Sequence, residues 1–102
     1  MNKLCSSHRS YLRSQAHHLE PIVLIGKNGI LDGTMELVDK ALNARELIKI
    51  KFRDYKDKKK SLSKQIAVST NSHIVGIIGN TAILFRQNPK SEMQCYNLPV
   101  EH

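Results

Sequence analysis

Between Glu46 and Arg53 the chain alternates: Ile48, Ile50 and Phe52 are apolar, and Lys49, Lys51 and Arg53 are cationic. A period of two belongs to a β-strand, whose successive side chains leave on opposite faces. This strand must press one face into a core and present the other as a row of positive charge. A lone strand is not stable, so the flanking sequence has to supply more strands and helices to cover them.

The flanks supply both. Residues from about Ser6 to Leu19 read as a helix, with Leu12, Ala16 and Leu19 on one face. Arg9, Arg13 and His17 follow an i, i+4, i+8 spacing and form a second stripe beside it. Pro21 blocks continuation of that helix. Ile22-Val23-Leu24-Ile25 is a continuous apolar run, as expected of a strand buried on both faces. After the loop Gly26-Lys27-Asn28-Gly29, a second helix is predicted from about Asp32 to Arg45, with Leu31, Met35, Val38 and Leu42 at helical spacing and Asp32 as its N-cap. Beyond the alternating strand, Asp54 to Lys60 is a charged connection and Ser61 to Ser72 a third helix, with Leu62, Ile66 and either Ser69 or Thr70 facing inward. His73 to Ile78 and Thr81 to Arg86 are strands joined at Gly79-Asn80, a tight-turn signal.

The resulting order, α-β-α-β-α-β-β, predicts an α/β two-layer sandwich with a four-stranded mixed sheet. Strands separated by helices imply right-handed crossovers and mostly parallel pairing, and the last two strands form an antiparallel hairpin. A single domain is expected over 1–86. From Gln87 the pattern dissolves, so 87–102 reads as a flexible tail with at most a local contact from Tyr96 or Leu98.

Charge narrows the function. Lysine and arginine number 16 against nine acids, a net charge of +7 in 102 residues. Such a field attracts polyanions, nucleic acid first and an anionic membrane surface second. No segment has the long apolar face edged by cations that a surface anchor needs, and no apolar run is long enough to span a bilayer. With no Trp, three Tyr and two Phe, a large aromatic platform for bases is hard to build. Cys5 and Cys95, without secretory context, read as free reduced thiols in a cytoplasmic protein. Cys5-x-x-His8 has tolerable zinc spacing, but no second ligand pair follows it, and His17 and His18 diverge on a helix; no metal site is expected. No paired carboxylates, nucleophile elbow or Cys-His constellation is visible, so neither catalysis nor a cofactor or small-molecule substrate is expected.

The segment Gly26-Lys27-Asn28-Gly29 carries the sharpest functional signal. Glycine admits the positive φ of a sharp reversal and lets another backbone come close. Successive N–H groups of such a loop can face a phosphate, with a helix N-terminus behind them. Lys27 adds a charge, and Asn28 can donate to phosphate or sugar. KH modules clamp a nucleic-acid backbone with a G-x-x-G loop of this kind. The same four residues also make a good generic turn; convergence of Arg9, Arg13 and His17 on the loop would set it apart. Lys49, Lys51 and Arg53 are compatible with a second RNA surface, with a solvated sheet face, or with cations snorkelling past a helix. Lys56, Lys58, Lys59, Lys60 and Lys64, mixed with Asp54 and Asp57, read as a solvated, mobile segment, with electrostatic contact to phosphate as the alternative.

The run His17-His18-Leu19-Glu20-Pro21-Ile22-Val23-Leu24-Ile25-Gly26-Lys27-Asn28-Gly29 resembles the signature of the CRM domain (chloroplast RNA splicing and ribosome maturation), whose stand-alone bacterial members are the YhbY-like proteins. Leu12-Arg13 with Ala16-His17, Ala41-Leu42 followed by Glu46-Leu47-Ile48-Lys49, and Val75 to Gly79 followed by Leu84-Phe85-Arg86 match it in order. The resemblance implies a fold similar to the C-terminal domain of bacterial translation initiation factor three. It also implies association with large-subunit ribosomal RNA or its precursors, RNA contact through Gly26 to Gly29 and neighbouring basic residues, and no enzymatic activity. The chain departs from the pattern at Leu31, where Thr is usual, at Arg45, where His is usual, and at Phe85, where Tyr is usual.

Overall fold

The structure is a computed structural model and describes residues 4–90 together with Gln94, Tyr96 and Leu98. Cys95 and Pro99 lie outside the described residues. The elements run α1 (Ser6–Ala16), β1 (Val23–Ile25), α2 (Asp32–Arg45), β2 (Leu47–Phe52), a 3-10 turn (Lys56–Lys58), α3 (Lys59–Ser69), β3 (His73–Ile78) and β4 (Thr81–Phe85). The α/β class, the four-stranded mixed sheet and the order of elements are those expected.

Three expectations need correction, and they share a cause. The sheet order is β1-β2-β4-β3, and only β1 and β2 pair in parallel. β2 and β3 do run the same way, but β4 turns back at Gly79-Asn80 and inserts between them. It takes the centre because Ala82, Ile83, Leu84 and Phe85 are all buried and need cover on both faces. Ile22–Ile25, expected to be buried on both faces, instead contributes the edge strand β1, whose Leu24 is 49% exposed. A strand apolar on both sides also rules out two layers. α2 and α3 pack on one face, against Ile48, Ile50, Phe52, Ala82 and Leu84. α1 packs on the other, where Leu12 and Ala16 meet Leu47, Val75, Ile83 and Phe85. The sheet is therefore sandwiched between one helix and two.

Element ends differ in detail. α1 stops at Ala16, although Leu19 still packs against its cluster. The N-cap of α2 is Leu31, and Asp32 lies in the first turn; the Leu31 amide donates to Thr34 Oγ1 at 3.1 Å, half of a capping box. Glu46 is the left-handed C-cap of α2, at φ 62°, rather than the start of β2. Its side chain is buried and accepts a hydrogen bond from the Asn88 amide, and its carbonyl accepts one from Arg86. All of the expected charged connection after Tyr55 is the 3-10 turn and the start of α3; of Ser69 and Thr70, it is Thr70 that faces inward. In the tail, Tyr96 and Leu98 pack beside α1, with the Tyr96 ring edge-on to Phe85 at 6.3 Å.

Candidate nucleic-acid interface

β1 and β2 end together, with Ile25 beside Phe52, and the Ile25 carbonyl accepts from the amides of Arg53 and Asp54. The loop Gly26 to Gly29 therefore springs from the sheet end where β2 leaves it. The Gly29 amide donates to the Gly26 carbonyl at 2.9 Å, closing a turn, and Gly29 takes φ 66°, a conformation that favours glycine. Lys27 and Asn28 at the tip are exposed, and among the described residues their amides have no acceptor. The cradle is thus smaller than a run of four amides: Gly29's proton is spent on the turn. The helix dipole behind it is already met by Asp32 in the first turn of α2.

Tyr55 holds this turn, and pattern reading missed it. Its hydroxyl donates to the Lys27 carbonyl at 2.8 Å, and its ring lies 3.5 Å from the position a Cβ on Gly29 would occupy. Tyr55 itself adopts φ 56°, which turns its side chain back over the loop. The one signal available was an aromatic residue two positions after the alternating run. Asp54 flanks the loop on another side, its carboxylate 3.9 Å from where a Cβ on Gly26 would stand.

The cations divide by what they already hold. Arg86 is spent on structure: it pairs with Asp39 at 2.7 Å and donates to Asn43 Oδ1 and to the carbonyls of Thr70 and Asp39. Lys59 donates to the Gly79 carbonyl and to Asn80, pinning the β3–β4 turn. Lys49 is half-buried and donates to the Leu19 carbonyl at 3.0 Å, tying down the exit from α1. Lys51 and Arg53 are exposed. Lys49 and Lys51 share the α1 face of β2, about 6.6 Å apart; Arg53, expected within the strand, lies just past its end, where its amide donates to the Ile25 carbonyl beside the glycine loop.

Arg13, His17 and Lys49 line one hollow of 210 Å³ with Ile78, Thr81 and Ile83. The Arg13 stem lies over Gly76, where a Cβ would come within 3.2 Å of it. The structure therefore brings together Arg13, His17 and Lys49, with Lys51 and Arg53 between them and Gly26 to Gly29. Arg9, half-buried one helical turn before Arg13, does not line the hollow. Among the described residues, no three His, Cys, Asp or Glu side chains gather as a metal site, and no helix is long and apolar enough to cross a membrane.

Comparisons with known proteins agree with this architecture. The profile of the CRS1 / YhbY (CRM) domain matches residues 4–86. The chain is 33% identical over 90 residues to the Probable RNA-binding protein YqeI of Bacillus subtilis, covering 87% of this chain and 94% of that one. It is 32% identical over 95 residues to an RNA-binding protein of Haemophilus influenzae, covering 92% and 96%. The solution structure of the hypothetical protein SAV1595 from Staphylococcus aureus superposes with a TM-score of 0.79 at 34% identity, over 95% of this chain and all of that one.

Proposed function

The chain belongs to the CRS1/YhbY (CRM) domain family, and from that membership we propose that it is an RNA-binding protein that grips structured RNA by its backbone. The observation that carries this reading is the continuity of the cationic row with the glycine turn. Lys27 and the unpaired tip amides stand at one end with Arg53 just past β2, Lys51 follows on the strand, and Arg13, His17 and Lys49 close the other end. Cations and amides directed at phosphates give affinity and register without reading sequence, so binding is led by RNA shape and weakens steeply with salt. The names of the relatives support RNA as the ligand. The RNA-binding unit is residues 1–86, and 87–102 is an appendage to it.

The RNA is that of the large ribosomal subunit or its precursor, and the protein assists its assembly in the cytoplasm without catalysing a reaction. The resemblance of His17 to Gly29 to the CRM signature supports this part of the reading. Sucrose-gradient fractionation of cell extract tests it. The protein should co-sediment with large-subunit precursors and leave them after nuclease treatment. A spread over all RNA-containing fractions would instead indicate a general RNA chaperone or adaptor. A complex that survives both nuclease and high salt would indicate a protein partner on the basic face.

A further inference from the structure

α1 covers only half of its face of the sheet. It lies over Leu47, Val75, Ile83 and Phe85. Towards the glycine loop the same face continues without a helix. There the register places Leu24 beside Lys51, Lys51 beside Thr81, and Thr81 beside Ile78, one residue from each strand in a single row. Leu24 is 49% and Ile78 61% exposed, and Lys51 between them is exposed as well. The β-branched and aliphatic ends of this row are residues that a sheet normally buries.

Resting on the RNA-binding reading above, we propose that this row seats an unpaired nucleobase of the bound RNA. Three strand spacings make the row about 14 Å long, enough to lay a base flat across it. A base is shorter than the row and rests toward one end of it: Leu24 beside the Lys51 stem, or Ile78 beside Thr81, offers apolar surface to a ring face, while the Lys51 ammonium or the Thr81 hydroxyl can meet a polar edge. Cations border the row on both flanks: Arg53 and Lys27 toward the loop, Arg13 and Lys49 in the hollow that Ile78 and Thr81 also line. A base seated here thus has its own phosphates within the cationic border, whereas an apolar peptide or a second copy of this basic chain would meet uncompensated charge. A paired base keeps its faces stacked within the helix and cannot lie on the row, so the ligand is a bulged, looped or single-stranded nucleotide.

Fluorescence anisotropy with two RNAs, a fully paired hairpin stem and the same stem with an unpaired nucleotide, tests the row on the full chain. Leu24→Ser with Ile78→Ser should weaken binding of the bulged RNA about ten-fold and leave the paired stem unchanged. In parallel, addition of a short single-stranded oligonucleotide should shift the methyl resonances of Leu24 and Ile78 in the unmodified protein, a readout that needs no variant to fold. Equal loss on both RNAs, no change on either, or methyl resonances that stay fixed would overturn the base-seating row while leaving backbone binding intact. Failure of the unmodified chain to bind either RNA would overturn the RNA-binding reading itself. Dimerisation of the unmodified protein that the double substitution abolishes would assign the row to a second copy instead.

Discussion

The two faces of the sheet are built for opposite purposes. Under α2 and α3, Ile48, Ile50, Phe52, Ala82 and Leu84 are shut away from solvent together with Ile66 of α3, and partly buried neighbours such as Met35 and Leu62 complete the seal. Under α1, burial stops halfway along the strands, and Lys51 and Leu24 emerge where the cover ends. β2 supplies both faces from alternate residues. Stability is thus concentrated on one side and charge on the other, so a change on the α1 side can alter ligand affinity while the fold stays fixed by the closed side.

Substitutions should separate the faces. The largest effect is expected for Phe52→Ala, which empties a fully buried site: about 3–5 kcal/mol of stability, read by urea denaturation. Next, Lys27→Asp with Asn28→Asp should leave the denaturation midpoint in place and reduce RNA affinity by about 30-fold, because carboxylates would face phosphate; unchanged affinity would remove the loop from the interface. Tyr55→Phe should cost a few-fold in RNA affinity, because the Lys27 carbonyl loses its donor and the turn loosens. Wild-type affinity with a lowered midpoint would make Tyr55 structural only. Lys51→Ala should lower affinity a few-fold and flatten the log–log salt dependence by about one unit, whereas Lys58→Ala, on the 3-10 turn, should do less. If Lys58 matters more than Lys51 and Lys27, the site has been placed on the wrong segment.

The smallest effect concerns pH. Burial at the start of β3 holds the His73 imidazole below its ordinary pKa of 6.5, disfavouring its charged form. The unfolded chain therefore binds the extra proton more readily, and stability falls as pH drops through and below 6.5. Replacing His73 by Gln should flatten that acid limb slightly, as measured by melting temperature against pH.

Much of this was legible along the chain. The alternation from Ile48 to Arg53 specified β2 and the face of its cations, because side-chain direction in a strand is local geometry. The glycine pair marked the turn, because Gly29's left-handed backbone is a local requirement. The fate of individual cations was not legible. Arg86 and Lys51 both read as single cations at strand positions, yet one is locked to Asp39 and Asn43 and the other is exposed. Asp39 and Asn43 lie more than 40 residues from Arg86, so no local pattern announces them. Tyr55's grip on Lys27 spans 28 positions and depends equally on the chain's return to the end of β1.

The sequence by itself determined the order of helices, strands and turns, and that the chain carries a cationic strand and a glycine loop, since these follow from periodicities of two and 3.6 residues and from the conformational freedom of glycine. Tertiary structure alone decided that β4 lies at the centre, that β1 is an edge, that helices cover both faces, and that part of one face stays open. Those outcomes depend on which apolar surfaces compete for burial across the whole molecule, and that competition is settled by packing between segments far apart in the chain.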